Sequence, residues 1–154
     1  MTLFSFDPGV TKVGIACWRD GVLVAAETLT SPSMDATPGL VAAWVQGFGH
    51  PEARAIVTER MHKRPGQTLF NEDLDRVEAV RLQIPRLLGR RNWTKTYNPT
   101  QWKGNLPKAV HHRRLLKALT EAEAPLWPAG HDARDAVGIG LFHLGRVKRG
   151  GILP

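Results

Sequence analysis

The sequence predicts a mixed α/β fold, a five-stranded sheet of three antiparallel strands and then two parallel ones, flanked by helices. Three observations lead there. Residues 1–29 hold three apolar runs separated only by turn signals, which reads as consecutive antiparallel strands. Two stretches of helical spacing then alternate with two short apolar runs, the pattern of helix crossovers and added strands. The 154 residues are 42% hydrophobic and 23% charged, enough for one domain spanning 1–154 around a single core.

The elements follow in order. Thr2 to Phe6 is an apolar run that ends on Asp7-Pro8-Gly9. Pro8 fixes its own φ and biases Asp7 towards extended backbone, while Gly9 permits positive φ, so Asp7 is expected at a strand's last residue before a sharp turn. Lys12 to Trp18 is the second strand, and Arg19-Asp20-Gly21-Val22 carries the Asp-Gly hairpin signal into a third strand, Val22 to Leu29. Thr37 is expected as an N-cap with Pro38 at the first helical position. Leu40, Val41, Trp44, Val45 and Phe48 then form an apolar stripe that Gly49 ends.

Ala55-Ile56-Val57-Thr58-Glu59 is a short strand that also closes on a carboxylate. Residues 60–70 form a basic loop. Asn71 caps a helix with Glu72 and Asp73 in its first turn and Leu74, Val77, Val80, Ile84, Leu87 and Leu88 on its buried face. Trp93 to Tyr97 is the fifth strand. Asn98-Pro99 opens a helical turn with Gln101 in capping-box position. A cation-dense helix starting at Pro107 follows, anchored by Leu115, Leu116 and Leu119, and a last helix is expected from near His131 to about Lys148. A right-handed crossover sets the fourth strand parallel to the first and beside it, so Asp7 and Glu59 emerge at the same edge.

The charge balance bounds the partners. A net charge of +7 on a chain this small points to polyanions, with nucleic acid ahead of membrane. No apolar run approaches the roughly 20 residues of a membrane span, and the single cysteine, Cys17, excludes an internal disulfide. A cytoplasmic setting is expected, that of a host cell if the source is a virus.

The last helix completes a set of acidic residues. His131-Asp132-Ala133-Arg134-Asp135 puts Asp132 and Asp135 one turn apart on one face. An Asp in Asp-Pro-Gly is also an ordinary turn opener, and two Asp at a helix start also compensate its dipole. Brought to one rim with Glu59, however, four carboxylates repel one another unless cations join them. Mg2+ or Mn2+, two ions per site, would meet that need and support phosphodiester cleavage. Gly138 and Gly140 each cost about 1 kcal/mol of helix stability against Ala and are expected where this helix approaches the sheet closely.

With Gly14 five residues after Gly9, a strand-final Glu59 and Asp132-x-x-Asp135, the chain resembles the RuvC family of Holliday-junction resolvases, of the ribonuclease H-like superfamily. Tyr97-Asn98-Pro99-Thr100-Gln101-Trp102-Lys103 is similar to the family's stretch before its catalytic-face lysine. The resemblance spans nearly the whole chain. It implies a crossover junction endodeoxyribonuclease of DNA recombination and repair. Its metal ligands would be Asp7, Glu59, Asp132 and Asp135, Lys103 would join them in catalysis, and Lys103 and Lys108 would contact phosphate. The spacer Gly104-Asn105-Leu106-Pro107 is shorter than the family's, which bears on Lys108. His131 stays outside the ligand set.

The expected DNA contacts also include Arg60, His62, Lys63, Arg64, His112, Arg113 and Arg114. Met61, His62 and Phe70 are the candidates to stack at the junction, Phe70 also serving as a staple for the helix it precedes. The partners so implied are a four-way DNA junction and a second copy of the chain, and branch-migration machinery is allowed. Leu74, Val77, Val80, Ile84 and Leu87 are more apolar surface than one sheet contact needs, which makes their helix a candidate dimer interface. Three other readings share parts of the pattern: a related nuclease acting on RNA or other branched DNA, a two-lobed ATPase with a phosphate loop at Asp7-Pro8-Gly9-Val10-Thr11, and a non-catalytic DNA-binding protein. The ATPase needs a duplicated lobe for which this chain has no room.

Overall fold

A computed structural model describes residues 1–49, 54–60 and 71–154 of the chain. Five strands, β1 (Thr2–Asp7), β2 (Lys12–Arg19), β3 (Val22–Thr30), β4 (Arg54–Glu59) and β5 (Lys95–Tyr97), form one sheet in the order β3-β2-β1-β4-β5. The pairs β1–β2 and β2–β3 are antiparallel, and β1–β4 and β4–β5 are parallel. The Asp-Gly hairpin is present: Asp20 and Gly21 have φ of 51° and 81°, the left-handed pair that a tight two-residue turn requires.

Side-chain alternation divides the core in two. On β1, Leu3 faces one side, while Phe4 and Phe6 face the other with Val13, Ile15 and Cys17 of β2. Helices α1 (Thr37–Gln46) and α2 (Asn71–Leu87) cover the phenylalanine face, with Val41, Val45, Val80 and Ile84 buried there. Helix α5 (His131–His143) covers the Leu3 face with Ala136, Val137, Ile139 and Leu141. Two shorter helices, α3 (Pro99–Trp102) and α4 (Lys108–Lys117), flank α5 on that side.

The approach of α5 to the sheet is fixed by polar groups and by glycine. The Ser5 hydroxyl donates to the Ala136 carbonyl at 2.7 Å and accepts from the Trp18 indole at 3.0 Å, so a polar residue in mid-strand is satisfied within the core. Trp18 lies where a side chain at position 140 would have to sit, which accounts for Gly140. Gly138 meets Trp102 of α3 and Leu115 of α4 instead of the sheet.

Several expectations are corrected. Ala36, not Thr37, caps α1: Thr37 is its first helical residue and turns its buried hydroxyl to the carbonyls of Val10 and Ser33, at 2.8 and 2.9 Å. That helix stops at Gln46, ahead of Gly49. Strand β5 starts at Lys95, because the Trp93 ring turns inward against Phe6 and its indole donates to the Arg81 carbonyl. Pro107 precedes α4 rather than opening it, and Leu116 is exposed. Helix α5 ends at His143, since Gly145 takes φ of 71° and the chain reverses. On α2, Val80 and Ile84 are spent in the core, whereas Leu87 is 49% exposed and Leu74 and Val77 are half-buried.

Candidate functional site

Strand parity brings the carboxylates together. Ser5 faces α5, so Asp7, two residues on, leaves β1 on the same side. In β4, Ala55 and Val57 share that side, and Glu59 continues it. The parallel register pairs Phe6 with Thr58, and the next residue of each strand is a carboxylate. Gly14, the register partner of Asp7 on β2, does the rest: a side chain at Gly14 would collide with the Asp132 carbonyl and come within 2.7 Å of the Ala133 nitrogen. Only a bare backbone there lets the first turn of α5 settle beside Asp7. The Thr28 hydroxyl anchors the same turn by accepting from the Ala133 N–H at 3.2 Å.

One cleft of about 500 Å³ is the result, and Asp7, Glu59, Asp132, Asp135, Lys103 and Lys108 all line it. Lys103 Nζ lies 2.8 Å from Asp135 Oδ2 and Lys108 Nζ 3.4 Å from the same oxygen. Asp135 Oδ1 is 2.7 Å from His112 Nε2. The Trp102 indole donates to Glu59 Oε2 at 2.7 Å.

These surroundings push the carboxylates apart in acidity. Burial raises the Asp7 pKa well above the usual range, and the charges of Glu59 and Asp135 add to it. Burial likewise raises Glu59, with Lys103 and the Trp102 hydrogen bond working against it. Burial would raise Asp135 too, but the His112 hydrogen bond and the Lys103 charge outweigh it and hold Asp135 below the usual range. For Lys103 burial alone would lower the pKa; the attraction of Asp135, Glu59 and Asp7 overcomes that and raises it. A cleft whose acids are driven in opposite directions is suited to divide roles among them.

Among the described residues, no three Asp, Glu, His or Cys side chains are gathered closely enough to enclose a metal ion, and Asp135 is met by nitrogens instead. The donor set is still one of hard carboxylate oxygens open to a cleft, the chemistry that suits Mg2+ or Mn2+.

The remaining expected contacts are scattered. Arg113 is exposed on α4. Arg114 is half-buried and donates to the Gly150 carbonyl at 3.3 Å. Arg60 is exposed, its Nε 3.5 Å from Glu78. His112, expected among the surface cations, is instead buried, because α4 turns it inward against α5. His131 is exposed, its ring stacked on that of His112 at 5.5 Å. Met61, His62, Lys63, Arg64 and Phe70 lie outside the described residues. Trp102 was missed as a site residue. Its one sequence signal is that a buried indole N–H needs an acceptor and a carboxylate cleft supplies one.

Solved structures share this architecture. Thermus thermophilus RuvC in complex with a Holliday junction substrate superposes with a TM-score of 0.64 at 20% identity, over 93% of this chain and 92% of that one. A second Thermus thermophilus RuvC structure gives 0.63 at 19% identity, over 93% of each chain. The fowlpox virus Holliday junction resolvase gives 0.60 at 14% identity, over 94% and 97%. No protein-family model matches the sequence, nor does any curated protein sequence. The chain therefore has the RuvC-like resolvase fold, a form of the ribonuclease H-like sheet. Among the described residues no helix is long and apolar enough to cross a membrane.

Proposed function

We propose that this chain is a metal-dependent endonuclease that resolves four-way DNA junctions by paired nicks in opposing strands. The observation that carries the proposal is the meeting of Asp7, Glu59, Asp132 and Asp135 with Lys103 and Lys108 at one cleft, on a fold shared with RuvC and with the fowlpox virus Holliday junction resolvase. Asp7, Glu59, Asp132 and Asp135 would hold two Mg2+ or Mn2+ ions. Bound there, the ions supply an activated water and stabilise the leaving oxygen of a phosphodiester.

The protein's own groups do the positioning. Lys103 stays protonated and stands beside Asp135, where it can bear on a phosphate entering the cleft. Lys108, half-exposed at the same mouth, adds a second positive charge. Trp102 holds Glu59 by Oε2, leaving Oε1 free of that bond. Hydrolysis adds one water across a P–O bond, leaving a hydroxyl on one strand end and a phosphate on the other.

One cleft serves one strand, so two symmetric cuts call for two copies related by a two-fold axis. On α2, Leu87 is exposed and Leu74 and Val77 are half-buried, so they leave apolar surface for such a contact. Light scattering at micromolar concentration should report a dimer, and a stable monomer would favour an independent nicking enzyme. Labelled four-way junction, linear duplex and RNA, offered in parallel with Mg2+, test the substrate. Preference for the junction supports the proposal, and equal or better cutting of RNA would contradict it.

A further inference from the structure

Helix α4 carries two adjacent histidines in a run of cations, and both are buried. The His112 ring stacks on that of His131, centroids 5.5 Å apart, and meets the Trp127 ring at 77°, centroids 6.2 Å apart. Its Nδ1 is buried with no hydrogen-bond partner, while its Nε2 lies 2.7 Å from Asp135 Oδ1. A buried N–H without an acceptor is costly, so the ring hydrogen belongs on Nε2, where an acceptor waits, and the lone pair on Nδ1.

We propose that His112 is a positioning residue for Asp135, its Nε2–H fixing Oδ1 so that Oδ2 is the oxygen turned to the cleft. The rest of the geometry agrees. Both lysines of the cleft approach Oδ2, at 2.8 and 3.4 Å, while His112 takes Oδ1. The ring is buried against two other rings, which restrains it and the carboxylate it holds. His112 thus fixes a group argued to bind metal without touching metal or DNA. Such outer partners of metal ligands typically change metal affinity about 10- to 100-fold when removed. This inference rests on the metal reading of the cleft.

Three measurements test it. The imidazole 15N spectrum of the metal-free protein should show His112 as the Nε2–H tautomer, and an Nδ1–H tautomer would overturn the inference. Calorimetric titration with Mn2+ in the absence of DNA should show His112→Phe binding about 10-fold or more weakly. His112→Gln, whose amide can reach the same oxygen, should stay within about 3-fold of the wild type by the same measure. Junction affinity in EDTA should be unchanged in both variants. Wild-type Mn2+ affinity in His112→Phe, together with weaker junction binding, would make His112 a DNA contact and overturn the proposal. If the wild type itself binds no Mn2+, the metal reading falls, and the tautomer still decides whether His112 orients Asp135.

Discussion

Trp102 and Glu59 are joined by a 2.7 Å hydrogen bond from the indole N–H to Oε2, within a cleft that also holds Asp7 and Asp135. The bond ties the four-residue helix α3 to the end of strand β4 and sets the orientation of one carboxylate of the proposed catalytic set. Trp102→Phe keeps most of the ring and removes the donor. Glu59 loses an interaction that lowers its pKa, so its pKa rises further. The acid limb of the cleavage pH profile should move to higher pH, with stability reduced by about 1–2 kcal/mol. An unmoved limb would remove Glu59 from the chemistry.

Gly14 has no room for a methyl group, because the first turn of α5 lies against it. The collision is with backbone, which cannot rotate aside. Gly14→Ala should therefore displace Asp132 and Asp135 together, costing about 1–3 kcal/mol and most of the cleavage activity. Chemical unfolding beside a cleavage assay checks this, and a fully stable, fully active variant would show that α5 is not seated by that contact.

The cations separate into three kinds. Lys103→Ala removes a partner of Asp135 and should depress cleavage more than binding. Arg113→Ala should weaken junction binding and lower the salt slope by about one unit if Arg113 meets a phosphate. Arg114 is already committed to the Gly150 carbonyl, so Arg114→Ala should chiefly lower stability. Binding isotherms across a salt series distinguish these outcomes; identical slopes in all three variants would place the DNA on another face.

The parts of this site that were legible in the sequence are those written as strand ends and helix turns. Asp7 and Glu59 each close an apolar run, and Asp132 and Asp135 are spaced for one helical face, so register and parity alone bring them to one edge. His112 was hidden because His-His-Arg-Arg after a lysine reads as a solvated run, and only the packing of α4 on α5 turns the ring inward. Trp102 was hidden because a helix of four residues has no periodicity to reveal its buried side. The end of α5 was overextended because Leu144 and Val147 carry the apolar pattern across Gly145, where positive φ breaks the helix. Thr37 before Pro38 satisfies the usual cap pattern, yet carbonyls at Val10 and Ser33 claim its hydroxyl first.

Far from the cleft, Glu123 clamps the chain ends of several elements. Its carboxylate takes two bonds from Arg146, at 2.7 and 2.6 Å, and backbone bonds from Leu23 and Thr120. Burial opposes its ionisation, but these partners prevail and bring its pKa down to about 2, from 4.5. A folded-state pKa below the unfolded one means stability present above about pH 4.5 and lost as pH falls towards 2, of the order of 3 kcal/mol. Glu123→Gln should be less stable at pH 7 and show a flatter decline between pH 5 and about 2.5. Parallel acid-unfolding curves for variant and wild type would show that the clamp does not drive acid sensitivity.

Membership of Asp7 in the proposed metal-holding carboxylate set can be read from a four-way junction labelled on opposing strands. Wild type and Asp7→Asn are compared for cleavage in Mg2+ and in EDTA, and for junction binding in EDTA. The wild type should make paired nicks in Mg2+ alone and Asp7→Asn none, and the variant should bind the junction as tightly as the wild type or more tightly, since a carboxylate has gone from the crowded cleft. Cleavage by wild type in EDTA, or by Asp7→Asn in Mg2+ at a wild-type rate, would contradict that membership.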